Sequence, residues 1–227
     1  MHRRVEPVLR FTRAARWVHR STAVLMGVCL ATAACLYLAP LAQLVGNRPL
    51  VVTVHVWCGL ALPVPLLLGL ASRAVRRDVS RLSRFTPVDG QWLRAVRARA
   101  AYRPAGKFNA GQKLYAQWTL GAILVIVGTG LLMWLTRLAP PDWRTGATFV
   151  HDWLAAAIAV VLAGHVRMAW RDGESRLGMR TGLVERAWAE REHPQWLAPE
   201  EAVRPATDEE PRPAADRQPR AVAADEP

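Results

Sequence analysis

Cysteine is scarce in this 227-residue chain, which contains three cysteines and no C-x-x-C pair. That scarcity argues against a disulfide framework and against a structural zinc site. It also excludes the C-x-x-C-H attachment of a c-type haem and leaves no cysteine ligand set for an iron–sulfur cluster. A catalytic triad, a Walker phosphate loop and a dinucleotide fingerprint are absent as well. The informative features are instead the distribution of charge and hydrophobicity.

Negative charge is also limited, since 18 Asp and Glu stand against 30 Lys and Arg, a formal net charge of +12. The excess is segregated along the chain. Residues 1–20 hold six arginines and residues 73–113 hold nine arginines and two lysines, whereas the connections at 42–50 and 137–148 together hold three arginines. This alternation follows the positive-inside rule, so we expect both termini and residues 73–113 in the cytoplasm. Nucleic acid is not an expected partner.

Four apolar runs are long enough to cross a bilayer as helices. They cover about residues 20–41, 51–72, 114–136 and 149–170. Pro63 and Pro65 are expected to kink the second span, and several of the ten tryptophans lie near span ends, where Trp anchors membrane helices. The predicted fold class is an all-α integral membrane bundle of four transmembrane helices. Buried core helices of a soluble protein are the less favoured alternative.

The C-terminal segment, residues 198–227, is rich in Pro, Ala, Glu and Arg. Such a composition cannot bury enough apolar surface to fold, so we predict a disordered cytoplasmic tail. The membrane domain then comprises residues 1–197, with its four spans and the loops that connect them.

Four of the six histidines lie in the apolar runs or at their edges. His151 and His165 are fourteen residues apart in the fourth span, which places them on nearly the same side of one helix, about 21 Å apart along its axis. His19 and His55 stand near the starts of the first two spans. With the cytoplasmic ends assigned above, His55 pairs with His151 near the outer face, and His19 pairs with His165 near the inner face.

Two such pairs are what two b-type haems with bis-imidazole ligation require, because neutral imidazole is a good axial ligand of iron. The alternative for any single histidine is structural, at the interface or bonded to a neighbouring backbone group. Two stacked haems suit the transfer of electrons across the membrane, for which quinone is the natural lipid-soluble acceptor. A non-redox membrane anchor or transporter, in which the histidines are structural or move protons, is the competing class.

A candidate quinone site lies at the start of the third span, in GKFNAGQKLYAQW. Asn109 and Gln112 can hydrogen-bond a quinone carbonyl, and Lys107 or Lys113 can help to deliver protons from the cytoplasm. Asn109 and Gln112 also match a capping box, in which residues three apart satisfy the first backbone N–H groups of a helix. Spacing alone does not separate the two interpretations.

Several stretches together resemble the gamma subunit, a membrane cytochrome b, of bacterial respiratory formate dehydrogenase. They are GKFNAGQKL, the spaced pair His151 and His165, the segment RFTRAARWVHR, and the ending GMRTGLVERAWAEREHPQWL. The resemblance covers about residues 8–197. The loop GKFNAGQK is its most specific part, because related four-helix diheme cytochromes share the histidines but generally lack this loop.

The resemblance implies a four-helix bundle with two b haems in the bacterial cytoplasmic (inner) membrane. It implies electrons from an iron–sulfur beta subunit outside the membrane, itself fed by a molybdenum or tungsten catalytic alpha subunit. Quinone, either menaquinone or ubiquinone, is then reduced at the cytoplasmic side. The residues that match the family's haem-ligand positions and quinone loop are, respectively, His19, His55, His151 and His165, and Asn109 and Gln112.

Two departures accompany the resemblance. The family's terminal pair of histidines before proline is here Glu192-His193, which leaves the role of His193 open. Asp152, beside a proposed ligand, is unexpected; we expect it at the wet interface, although it can also orient an imidazole or contact a partner. The rival assignments are the diheme cytochromes of nickel–iron hydrogenase or thiosulfate reductase, or a stand-alone cytochrome that oxidises superoxide or another small reductant. These rival assignments differ from the formate dehydrogenase assignment in the electron donor.

The charge distribution predicts which loops face outward. Single cysteines introduced at Val45 and Thr145 are expected to react with a membrane-impermeant thiol reagent in intact spheroplasts, because both positions lie in the arginine-poor connections. Labelling is read as a mass shift, with permeabilised spheroplasts as the reference. Labelling of Val45→Cys and Thr145→Cys only after permeabilisation would invert the assigned faces.

Overall fold

The computed structural model describes residues 6–137 and 139–197, and these residues form ten helices and two short strands. The predicted tail at 198–227 lies outside the described residues. The elements in chain order are β1 (Pro7–Leu9), α1 (Arg13–Tyr37), α2 (Ala39–Val45), α3 (Arg48–Ala61), α4 (Val64–Gly69), α5 (Arg73–Ser83), α6 (Pro87–Arg97), α7 (Ala110–Trp134), α8 (Pro141–Arg171), α9 (Gly173–Thr181), β2 (Leu183–Glu185) and α10 (Arg186–Glu192).

Four helical segments are long and apolar enough to cross a membrane, in agreement with the number predicted from the sequence. They are α1, α3 together with α4, α7 and α8. The helices α1 and α8 begin at Arg13 and Pro141, seven and eight residues before the predicted spans. Hydropathy locates the membrane crossing, whereas a helix begins at its cap. For α1 that cap is Thr12, whose Oγ1 accepts a hydrogen bond from the Ala15 backbone N–H at 3.3 Å.

A proline interrupts the second span. Helices α3 and α4 lie on either side of Leu62 and Pro63, because Pro63 lacks the backbone N–H that would continue the hydrogen-bond ladder. The Leu62 N–H donates to the Gly59 carbonyl at 3.2 Å, which closes a tighter three-residue turn. The second span therefore consists of two helical segments joined by one short turn.

The spans share a small apolar core, and their exterior is also apolar. Many large side chains point outward: Val160 is 73% exposed, Val24 66% and Leu124 62%. A soluble bundle would bury such side chains, so this exterior is suited to lipid. The buried core residues come from all four spans and are Met26, Cys29, Leu62, Ala122, Ile123 and Ile158.

The longer connections meet at one end of the bundle, which we call the loop end and define as residues 6–12, 70–109 and 172–197. The opposite end, which we call the short end, comprises residues 38–47 and the described residues of 135–140. The arginine-rich segments of the sequence therefore lie together at the loop end, as expected for one side of a membrane.

Two largely buried ion pairs hold α5 and α6 against α7 and the segment that leads into it. Lys107 Nζ lies 2.6 Å from Asp78 Oδ1, and Lys113 Nζ lies 2.7 Å from Asp89 Oδ2. Burial acts to raise the pKa of Asp89, but hydrogen bonds from Lys113 and Thr86 outweigh it and lower that pKa. Burial lowers the pKa of Lys107 against the opposing effect of Asp78. Both lysines suggested as proton donors are thus bound to carboxylates, and each pair fastens a helix of the loop end, α5 or α6.

A small antiparallel sheet corrects the all-α prediction. Strand β1 pairs with β2, with Pro7 opposite Glu185 and Leu9 opposite Leu183. The strands are three residues long, too short to show an alternating pattern in the sequence. Gly182 precedes β2 with a φ of 95°, and a Cβ there would lie 2.6 Å from the Phe11 carbonyl oxygen, so a side chain is excluded by both conformation and space.

Arg10 and His193 join the two ends of the described chain at this sheet. Arg10 Nη2 donates to His193 Nε2 at 2.8 Å, and the Arg10 guanidinium carbon lies 4.7 Å from the Trp188 ring centroid. The His193 Nδ1 atom then donates to the Gly106 carbonyl at 2.7 Å. Burial and the nearby Arg10 lower the pKa of His193 to about 4, so the ring is neutral at pH 7. The residue whose role the sequence left open is a structural hydrogen-bond bridge.

The position of His193 predicts that residues 183–197 undock in mild acid. The fold lowers the pKa of His193 from 6.5 to about 4, because it favours the neutral ring. The stability that the neutral ring contributes is therefore fully present above pH 6.5. This contribution falls as the pH drops from 6.5 towards 4, and the loss is on the order of 3 kcal/mol. Hydrogen exchange at the Val184 and Trp188 amides of the detergent-solubilised protein, corrected for intrinsic exchange rates, measures how far this segment opens.

The matched control is His193→Gln, whose amide accepts from Arg10 and donates to the Gly106 carbonyl without titrating in this range. We expect the variant to lose the pH dependence between 6.5 and 4. The same acid-induced exchange in wild type and His193→Gln would assign the titration to another group.

Candidate functional site

Four histidines form two facing pairs between the spans; three of them are half-buried, and His19 is exposed. His19 on α1 and His165 on α8 have ring centroids 6.3 Å apart, with an angle of 51° between the rings. His55 on α3 and His151 on α8 have centroids 6.2 Å apart, at 64°. We call these the His19 pair and the His55 pair. The structure thus brings together the same partners that the sequence suggested, and their role as ligands stays a prediction.

The separation within each pair fits a metal ion held between two imidazoles. A metal–imidazole bond is about 2 Å long and a ring nitrogen lies about 1.2 Å from the ring centroid, so two opposed ligands have centroids about 6.4 Å apart. Among the described residues there is no cluster of three or more His, Cys, Asp or Glu side chains that could hold a bare metal ion. Haem needs only two axial ligands from the protein, because its porphyrin supplies the other four ligands of the iron.

Glycines leave space beside the pairs. A Cβ on Gly130 would lie 3.3 Å from the His151 Cε1 atom, so α7 approaches this imidazole through a missing side chain. Five further glycines in the predicted spans would meet no neighbouring atom within 4 Å if a Cβ were added. These are Gly27, Gly59, Gly121, Gly128 and Gly164. Close contact with a neighbouring helix therefore does not explain them.

Threonines contact the His55 pair from neighbouring helices. Thr32 Oγ1 on α1 lies 2.8 Å from His55 Nδ1, and Thr129 Oγ1 on α7 lies 3.1 Å from His151 Nδ1. The sequence analysis did not identify either threonine, because each contact crosses from one helix to another. A hydroxyl inside an apolar span was the only available signal.

Asp152 lies next to His151 and makes a different contact. Its Oδ1 accepts a hydrogen bond from the Tyr37 hydroxyl at 2.6 Å. Tyr37 ends α1, so the bond connects α1 and α8 at the short end of the bundle. Tyr37 is 64% exposed, and the interfacial position expected for Asp152 stays a prediction.

Asn109 and Gln112 form the reciprocal capping box at the start of α7. The Gln112 backbone N–H donates to Asn109 Oδ1 at 2.9 Å, and the Asn109 backbone N–H donates to Gln112 Oε1 at 3.1 Å. Both side-chain oxygens are therefore engaged, while the side-chain amide nitrogens are not used by the box. One turn further along α7, the Tyr115 ring stacks on His165 with centroids 4.6 Å apart and an angle of 10°. The capping box thus lies close to the His19 pair.

A membrane bundle with facing histidines on neighbouring helices is the arrangement of a membrane cytochrome b. The family described as prokaryotic cytochrome b561 matches residues 10–182, and the chain belongs to this family. Membership implies a multi-pass membrane protein that binds haem b.

The chain is also similar to cytochrome subunits of formate dehydrogenases, which confirms the resemblance indicated by its motifs. It is 31% identical over 94 residues to the cytochrome b556(Fdn) subunit of the nitrate-inducible formate dehydrogenase of Escherichia coli (strain K12), covering 40% of this chain and 43% of that subunit. It is 34% identical over 101 residues to the formate dehydrogenase cytochrome b556 subunit of Haemophilus influenzae, covering 42% and 41%. The chain thus spans about two fifths of the length of these curated relatives.

Proposed function

We propose that this chain is the membrane cytochrome b subunit of a formate dehydrogenase-like complex in the bacterial inner membrane. In this role it passes electrons from an iron–sulfur subunit outside the membrane, through two haems b, to quinone at the cytoplasmic side. The observation that carries the proposal is the presence of two histidine pairs, each with ring centroids 6.2 to 6.3 Å apart, at two levels of one bundle.

The orientation rests on the loop end. Its connections carry 14 arginines and those of the short end carry one, so the positive-inside rule predicts that the loop end lies in the cytoplasm. The His19 pair then lies towards the cytoplasm and the His55 pair towards the outside. Fourteen residues separate the two histidines of α8, a rise of about 21 Å that extends over much of the apolar bilayer core.

The residues of the chain have defined tasks in this function. Haem b, when bound, supplies a one-electron couple. The four histidines offer neutral imidazole nitrogens as axial ligands, and an apolar core that includes Met26 and Ile158 packs between the spans. The donor partners are inferred from the relatives, which are subunits of formate dehydrogenases.

The two-haem proposal predicts a stoichiometry and a pairing. The purified protein should hold two low-spin b haems per chain, released by acid acetone because no cysteine attaches them. His55→Ala and His151→Ala should each remove one and the same haem, and His19→Ala and His165→Ala the other, because each pair shares one iron. Pyridine haemochrome assays and redox difference spectra measure this.

His193→Gln is the matched control, since His193 is a buried histidine outside the spans, and this variant should keep both haems. A single haem per chain, or loss of the same haem from His55→Ala and His165→Ala, would contradict the two-level arrangement.

We further propose that quinone binds beside the His19 pair, at the capping box of α7. The Asn109 and Gln112 oxygens accept the backbone N–H groups, which leaves the side-chain amide N–H groups as donors to a quinone carbonyl. Tyr115, one turn away, stacks on His165 and places the box near the histidines. Quinone reduction takes up two protons, and a site at the loop end gives these protons a short route from the cytoplasm.

The two roles of Asn109 can be separated by substitution. Serine also caps helices well, so Asn109→Ser keeps the cap and removes the amide donor, whereas Asn109→Ala removes both and costs about 1 kcal/mol of stability. If quinone binds here, Asn109→Ser retains both haems yet slows their reoxidation by a quinone analogue, about tenfold for one lost hydrogen bond. Stopped-flow spectroscopy of protein reduced with stoichiometric dithionite measures the rate.

The variant Asn109→Ser, Gln112→Glu extends the test, because glutamate at the third helical position preserves the capping box. Fast reoxidation in this double variant, still sensitive to a hydroxyquinoline oxide inhibitor, would place the quinone site elsewhere.

A further inference from the structure

The threonines beside the His55 pair determine where the imidazole protons lie. Thr32 Oγ1 donates its hydrogen to the Val28 carbonyl at 2.7 Å, and Thr129 Oγ1 donates to the Val125 carbonyl at 2.8 Å. A hydroxyl has one hydrogen, so each oxygen is left as an acceptor towards the imidazole.

With each hydroxyl hydrogen directed to a carbonyl of its own helix, each imidazole Nδ1 is assigned as the donor in its contact with threonine. At 2.8 Å for His55 with Thr32 and 3.1 Å for His151 with Thr129, both contacts are within hydrogen-bond distance. A neutral imidazole that carries its proton on Nδ1 has a free lone pair on Nε2. Both rings of the pair are thus held in the form that offers Nε2 to a metal.

We propose that Thr32 and Thr129 are positioning residues that hold the His55 pair as Nδ1–H tautomers and lower the midpoint potential of the haem bound there. This inference rests on the proposed function. A hydrogen bond donated by Nδ1–H leaves negative charge on the ring and makes Nε2 the stronger donor to iron. A stronger nitrogen donor stabilises the ferric state more than the ferrous state, so the potential falls.

The His19 pair has different surroundings. Among the hydrogen bonds of the described residues, none joins a threonine to His19 or His165; His165 is instead covered by the Tyr115 ring. The charged residues next to these histidines in the sequence also differ in sign. Arg20 follows His19, whereas Asp152 follows His151. A nearby cation favours the electron-rich ferrous state and a nearby carboxylate the ferric state.

Both differences act in the same direction. The threonine acceptors and Asp152 lower the potential at the His55 pair, and the arginine beside His19 raises it at the other. Electrons that enter at the His55 level therefore move to the His19 level with a favourable free energy. This order of potentials has the same direction as the electron flow in the proposed function, from the short end to the loop end.

The test is a redox titration of the holoprotein with Thr32→Val and Thr129→Val, singly and together. Valine keeps the shape of threonine and removes the acceptor. Each substitution should change the ferric-to-ferrous preference at one haem about tenfold, an upward shift of about 59 mV for a one-electron couple. The second haem should keep its potential. The low-spin ferric EPR signal of the affected haem should change as well, because ligand basicity alters the ligand field.

Two controls separate this effect from a general disturbance of the bundle. Thr32→Ser and Thr129→Ser retain the hydroxyl and should restore the wild-type potential. Thr53→Val removes an exposed hydroxyl of α3 that bonds the Pro49 carbonyl, and it should leave both potentials unchanged. If a valine variant loses the haem of the His55 pair, retention in the matching serine variant still supports the positioning role.

The outcomes distinguish the inference from the proposed function. A wild-type protein with no reducible haem would overturn the proposed function itself. Two haems with unchanged potentials and EPR signals in the double valine variant would overturn only the role of the threonines. Equal shifts in the serine and valine variants would do the same, since they would show that packing and not the hydroxyl acceptor sets the potential.

Discussion

The placement of one histidine from α8 in each pair is the constraint on which the bundle depends. His151 and His165 lie on nearly the same side of α8, so their partners must approach that side at two levels. His19 and His55 meet this requirement because they come from α1 and α3, which run in opposite directions. The centroid separations of 6.2 and 6.3 Å leave room for one metal ion in each pair. Gly130 lets α7 come close at the His55 level.

A span in lipid cannot leave its polar groups without partners, and this bundle uses them close to the histidines. Thr32 and Thr129 each donate to a carbonyl of their own helix and lie within hydrogen-bond distance of an imidazole of another. Each hydroxyl therefore contacts both a backbone carbonyl of its own helix and an imidazole nitrogen. At the short end, Tyr37 and Asp152 likewise connect α1 and α8. The polar contacts thus fix the relative rotation of helices that apolar packing alone would leave free to adjust.

The loop end combines ion pairs with a small apolar cluster of Val184, Trp188 and Ala189. The pairs Lys107 with Asp78 and Lys113 with Asp89 fasten α5 and α6 to the start of α7, and loss of one partner leaves an uncompensated buried charge. This anchoring holds the Asn109 capping box near the His19 pair. In the proposed function, the same order positions the amide donors for quinone. A structural role and a binding role are therefore compatible in one short segment.

The sequence by itself determined the four spans, the histidine spacing on α8 and the capping box of α7, because hydropathy, helical period and N-terminal capping are properties of neighbouring residues. It also indicated which histidines meet, since charge bias orients the spans. Only the tertiary structure decided the β1–β2 sheet, the bridge from Arg10 to His193 and the threonine contacts. Arg10 and His193 are 183 positions apart in the chain. Contacts of that kind depend on how helices pack and rotate, and no local pattern in the sequence records that geometry.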